Sequence, residues 1–110
     1  MSSRPVRYKT ISHALVVTRH PPLVVYLREI NLIDNTATVL KHAQFSDVRD
    51  RHVVGILPVH MLKVTASLTH IPLPVPPELR GHLLTLEQVR LYAQPPQRIS
   101  VREEPVWLES

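Results

Sequence analysis

The chain reads as one α/β domain, a small Rossmann-like open sheet with helices on both faces. Three observations predict this. The apolar runs at 13–18 and 53–57 are short and β-branched and do not alternate with polar residues, as in strands covered on both faces. Stretches with helical apolar spacing lie between such runs. The order strand, helix, strand, strand, helix, strand, helix, strand is that of an open α/β sheet. A chain of 110 residues holds one such domain and no more. The expected division is an N-terminal extension over 1–12, the domain over 13–102 and a C-terminal tail over 103–110.

The first strand, His13 to Thr18, stops at Arg19-His20-Pro21-Pro22. Proline suits the first turn of a helix, where its missing N–H would lack a partner in any case. From Pro22 to Asn31, Leu23, Tyr26, Leu27 and Ile30 recur at helical spacing, and Asn31 is a reasonable terminator. Asp34-Asn35 reads as a turn and Thr36 to Leu40 as the second strand. Phe45 to Arg49 reads as a turn or a single helical turn, and Val53 to Leu57 as a third strand ending at Pro58. Val59, Met61, Leu62, Val64, Ala66 and Leu68 suit a buried helix, weakened by Val64 and Thr65. His70-Ile71-Pro72-Leu73 reads as a fourth strand, with Pro72 confined to an edge or a strand end. After the rigid Pro74-Val75-Pro76-Pro77, Thr85 and Gln88 form a capping-box pattern for a helix running to about Ala93. Arg98 to Arg102 alternates as a last strand.

Composition narrows the setting. Eleven prolines against two glycines make the loops stiff. The absence of cysteine excludes disulfides and thiolate chemistry and fits a reducing interior. The formal charge is +4, and ten of the thirteen cations are arginine, whose planar donor fork suits phosphate. An anionic ligand and a purely structural basic surface both explain that balance. No run reaches the roughly 18 apolar residues of a membrane span. Met1 to Arg7 lacks the apolar core of a signal peptide, so a cytoplasmic protein without membrane association is expected.

Ligands of open α/β sheets bind at the carboxyl ends of the strands. That rule selects Thr18-Arg19-His20, Leu57-Pro58-Val59-His60 and the segment after Leu73. Arg19 can hold a phosphate bidentately, beside a helix N-terminus that favours an anion, and His20 can exchange a proton. The bland reading makes His20 a helix-start residue that packs on its neighbours. His60 sits at the equivalent end of the third strand, where it is either a second proton carrier or structural. Arg80 beside Gly81 lets a cation approach a ligand closely, and an exposed loop charge is the plain alternative.

Several chemistries are missing. The two glycines, Gly55 and Gly81, cannot make a dinucleotide fingerprint, and no phosphate-binding Walker loop or nucleophile elbow occurs. His42, His52 and His60 follow no metal-ligand spacing, so neither a metal nor another cofactor is expected. Few aromatic residues and no zinc-finger or RNP pattern argue against a surface for duplex nucleic acid.

Taken in order, Thr18-Arg19-His20, Gly55-Ile56-Leu57-Pro58, Leu73 to Pro77 and Arg80-Gly81 resemble the small Csx-type family numbered sixteen, found beside type III CRISPR systems. The resemblance spans about Leu15 to Tyr92, with threonine at 18 where serine is as common. It implies a ring nuclease, a metal-independent phosphodiesterase that degrades the second messenger cyclic tetra-adenylate and switches off type III CRISPR signalling. It further implies a homodimer, since a two-fold ring fits an isologous site. In that reading Arg19, His20 and His60 are catalytic, and Thr18, Pro58, Arg80 and Gly81 bind the ligand. The alternatives are a module that binds the cyclic nucleotide without cutting it, and a small subunit whose arginines face a protein.

Overall fold

The computed structural model describes residues 8–102, Glu104 and Val106. Its frame is a five-stranded sheet built from β1 (Leu15–Val17), β2 (Thr38–Leu40), β3 (His52–Gly55), β4 (Ser67–His70) and β5 (Gln97–Ile99). The spatial order is β2-β1-β3-β4-β5. The first four strands run parallel, and β5 closes the sheet antiparallel to β4. Four helices connect them: α1 (Pro21–Glu29), α2 (Phe45–Val48), α3 (Val59–Leu62) and α4 (Leu86–Tyr92). A 3₁₀ turn, η1 (Pro77–Leu79), precedes α4.

The lack of alternation in β1 has the predicted cause, because both faces of the strand are covered. Ala14, Val16 and Val54 pack with Leu23, Val24 and Leu27 of α1 and Val89 of α4. Leu15, Val17, Val53 and Leu68 pack on the other face with Val48 of α2 and Met61 and Leu62 of α3. Burial of this apolar surface on two sides is the main term holding the layers together.

The punctuation residues act as their chemistry predicts. Asn31 ends α1 in the left-handed region, at φ 61°. The Asp34 Oδ1 accepts from the Thr36 amide at 2.9 Å, making the turn into β2. The capping box of α4 is formed in both directions: the Gln88 amide donates to Thr85 Oγ1 at 3.2 Å, and the Thr85 amide to Gln88 Oε1 at 3.0 Å. Ile11, within the expected N-terminal extension, pairs with Ile33 in a parallel bridge. Most of the expected tail, 103–110, lies outside the described residues.

Two element expectations are corrected. The helix expected from Val59 to Leu68 is the single turn α3, and Thr65 Oγ1 donates to the Leu62 carbonyl at 2.8 Å just beyond its end. Leu68 belongs to β4, which begins at Ser67, earlier than the expected His70 to Leu73. The sheet outweighs the apolar periodicity there, because Leu68 fills the space between Val53 and the α2–α3 layer. Pro72 falls past the strand, where its carbonyl accepts the Gln94 amide at 2.9 Å.

One polar group interrupts the α1–α4 face of the sheet. His52 bonds through Nδ1 to Ser67 and through Nε2 to Thr69 Oγ1 at 2.7 Å, and Arg98 Nη2 donates to Ser67 Oγ at 3.5 Å. Arginine can only donate, so the serine oxygen accepts from it. Burial, and secondarily the Arg98 charge, hold its pKa below the usual histidine value.

Candidate functional site

In the order β2-β1-β3-β4, the connection after β1 runs to β2 and the one after β3 runs the opposite way to β4, so the loops that follow β1 and β3 part over the strand ends. The backbone there is tightly held. The Thr18 amide donates to the Leu40 carbonyl at 3.0 Å, and the Ile56 amide to the Val17 carbonyl at 3.1 Å. Thr18 itself is buried, and its Oγ1 accepts the His20 amide at 3.1 Å. Thr18 therefore shapes the turn, projecting Arg19 into solvent while His20 is drawn against the protein at the N-cap of α1.

Three clefts meet at this turn, and Arg19 lines all of them. The first, of about 420 Å³, lies over the ends of β1, β2 and β3 and is lined by Thr18, Arg19, His20, Lys41, His42 and Pro58 among others. The second, of about 450 Å³, shares Arg19, His20 and Ile56 and extends to Arg80, Gly81 and His82. The third, of about 300 Å³, runs over the α1–β2 side past Arg28 and Lys41. Among the described residues, no carboxylate lines any of the three. Arg19, Lys41 and Arg80 thus give a cationic border at the strand ends, with Arg28 further along α1 in the third cleft, suited to an anion carrying more than one charge.

His20 is half-buried, and its Nδ1 is buried with no hydrogen-bond partner among the described residues. An unsatisfied buried nitrogen is unfavourable, and such atoms in folded proteins call for a reason. It leaves Nε2 as the nitrogen of this ring able to meet a ligand in the cleft.

The residues singled out from sequence divide into two groups. Thr18, Arg19, His20 and Pro58 converge on the first cleft, and Arg80 and Gly81 face Arg19 and His20 across the second. His60 does not join them: it is exposed on α3, its ring stands 5.7 Å from that of Phe45, and it lines none of the three clefts. Sequence reasoning missed Lys41 and His42, the residues that directly follow β2. The strand-end rule that picked Arg19 would have found them, had it been applied to β2 as well. Among the described residues, no three His, Cys, Asp or Glu side chains are grouped to hold a metal ion.

Fold and site define a doubly wound α/β domain with a cationic cleft at its topological switch point. Residues 15–102 match the model of a family described as "Putative CRISPR-associated protein (Cas_VVA1548)". The chain belongs to that family of CRISPR-associated proteins. Comparison with curated proteins and with solved structures finds no match. No helix among the described residues is long and apolar enough to cross a membrane.

Proposed function

We propose that this protein is a metal-independent ring nuclease that opens cyclic tetra-adenylate. The observation that carries the reading is Arg19: one guanidinium common to three adjoining clefts, bordered by Lys41, Arg28 and Arg80 with no carboxylate among them. A ligand with several phosphodiesters answers that arrangement better than one with a single charge. The family's CRISPR association supports a messenger of that defence system as the ligand.

The chemistry needs no protein nucleophile. A ribose 2′-hydroxyl attacks the adjacent phosphorus and the P–O5′ bond breaks, leaving a 2′,3′-cyclic phosphate and a 5′-hydroxyl. One proton leaves the 2′-oxygen and one reaches the 5′-oxygen. Arg19 and Lys41 neutralise the charge that grows on the phosphoryl oxygens. His20 and His42, in the same cleft, are the imidazoles able to carry the two protons. His42 thereby takes the part that spacing alone suggested for His60. Two copies related by a two-fold axis would present a symmetric ring with paired sites.

The test is incubation of the protein with cyclic tetra-adenylate in EDTA, with separation of the products. Linear products ending in a 2′,3′-cyclic phosphate support the enzyme. Tight binding without products makes the protein a sensor of the ring, and neither result makes it an interaction subunit.

A further inference from the structure

We infer that the second cleft is a nucleobase subsite, in which a base lies against the aliphatic wall beside Gly81 while its phosphate rests on Arg19. The inference rests on the reading of the Arg19 site as one for nucleotides. It concerns the aliphatic wall of the second cleft, which the proposed chemistry does not use.

Each cleft carries a cation and an imidazole, and in the second they stand beside a wall of aliphatic side chains. Beyond their shared ridge of Arg19, His20 and Ile56, the first carries the cation and imidazole of Lys41 and His42. The second is walled by Leu73, Val75, Leu79, Leu83 and Leu84, and its polar groups are Arg80 and His82. An aliphatic wall beside the guanidiniums of Arg19 and Arg80 matches the two chemically distinct ends of a nucleotide. The cleft's volume of about 450 Å³ suits a small ligand, and apolar walls with few polar groups are the usual make-up of such sites.

The backbone prepares this space. Gly81 has φ 81°, and a Cβ built there would meet nothing within 4 Å, so the loop leaves an open mouth. Leu83 is 76% exposed and Ile56 46%, apolar surface that remains in water at the cleft. Covering it with the face of a heteroaromatic ring is favourable, and any base offers such a face. The absence of carboxylates lets the attached phosphate approach Arg19 and Arg80 without repulsion.

The test compares adenosine 5′-monophosphate with ribose 5-phosphate, which has the same sugar and phosphate but no base. Amide shifts of the full-length protein are followed during titration, for the wild type and for Leu83→Ser, a neutral change at an exposed side chain. Adenosine monophosphate should bind about tenfold more tightly than ribose 5-phosphate and shift the amides of Leu73, Leu83 and Leu84. Leu83→Ser should remove most of that advantage and leave ribose 5-phosphate binding unchanged. Equal binding of the two probes, or an advantage that survives Leu83→Ser, overturns the subsite. So does a Leu83→Ser protein that loses self-association but keeps its nucleotide affinity, since Leu83 then serves contact between copies. If the wild type opens cyclic tetra-adenylate while the probes bind equally, the subsite alone is wrong. If the wild type binds neither probe nor cyclic tetra-adenylate, the nucleotide reading falls with it.

Discussion

Gly55 lies so close to Val17 that a Cβ at position 55 would stand 2.1 Å from the Val17 carbonyl oxygen. The contact sits where β3 and β1 end together, one residue before the Thr18-Arg19 turn. Gly55 also has φ 120°, a conformation that side-chain-bearing residues avoid. Substitution would push β3 from β1 and break the bond from the Ile56 amide to Val17. Gly55→Ala should lose on the order of 3 kcal/mol of stability, as measured by urea unfolding. An unchanged midpoint would show that the strand ends part freely and that this floor is not rigid.

Arg19→Ala should leave folding unchanged, because the side chain is exposed and lies outside both buried clusters. Turnover of cyclic tetra-adenylate should fall on the order of 10²-fold, the usual loss for one electrostatic donor at a transition state. Circular dichroism and product formation, measured on the same sample, separate the two effects. A fully active variant removes Arg19 from the site.

His42 and His60 give opposite expectations. His42→Gln should lower turnover by about 10²-fold or more and remove one limb of the pH–rate profile. His60→Ala loses only its contact with the Phe45 ring and should turn over at close to the wild-type rate. The reverse pattern would restore the assignment made from strand-end spacing and move the reaction towards α3.

Stability should decline on the acid side in two stages. His52 is held neutral in the fold with its pKa below its ordinary 6.5, so the unfolded chain binds the proton more readily. Its contribution is complete above pH 6.5 and is lost as pH falls towards the folded-state value. Glu29 and Asp34 have lowered pKa values, through hydrogen bonds from Arg90 and Thr36 respectively. Their contributions disappear at lower pH, below the ordinary values of 4.5 and 3.8. In a series of denaturation curves against pH, His52→Gln should flatten the upper stage only. An upper stage that persists in that variant assigns it to another histidine.

Much of this architecture was legible in one dimension because it depends on local patterns. Pro21 and Pro22 mark the start of α1, Asn31 its end, and Thr85 with Gln88 the start of α4, each through bonds or dihedrals formed within a few residues. The passage from Val59 to Leu68 was not legible, because its apolar spacing fits a buried helix as well as a turn followed by a strand. Pairing of Ser67 to His70 with β3 resolves it, and that pairing joins residues about fifteen positions apart.

The same division holds for the site. Thr18-Arg19-His20 could be singled out without coordinates, since a strand end followed by two prolines places a cation and an imidazole at a helix start by local rules. Which other side chains meet Arg19 is a matter of strand order. Only because β2 lies beside β1, on the side away from β3, do Lys41 and His42 share a cleft with Arg19. Arg80 reaches the opposite side through a loop more than sixty residues from Arg19. His60 looked equivalent to His20 along the chain, but a single-turn helix leaves it beside Phe45, away from the clefts. Chain-local chemistry fixes where one charge emerges. Burial of two apolar layers, which sets the order of the strands, fixes its companions.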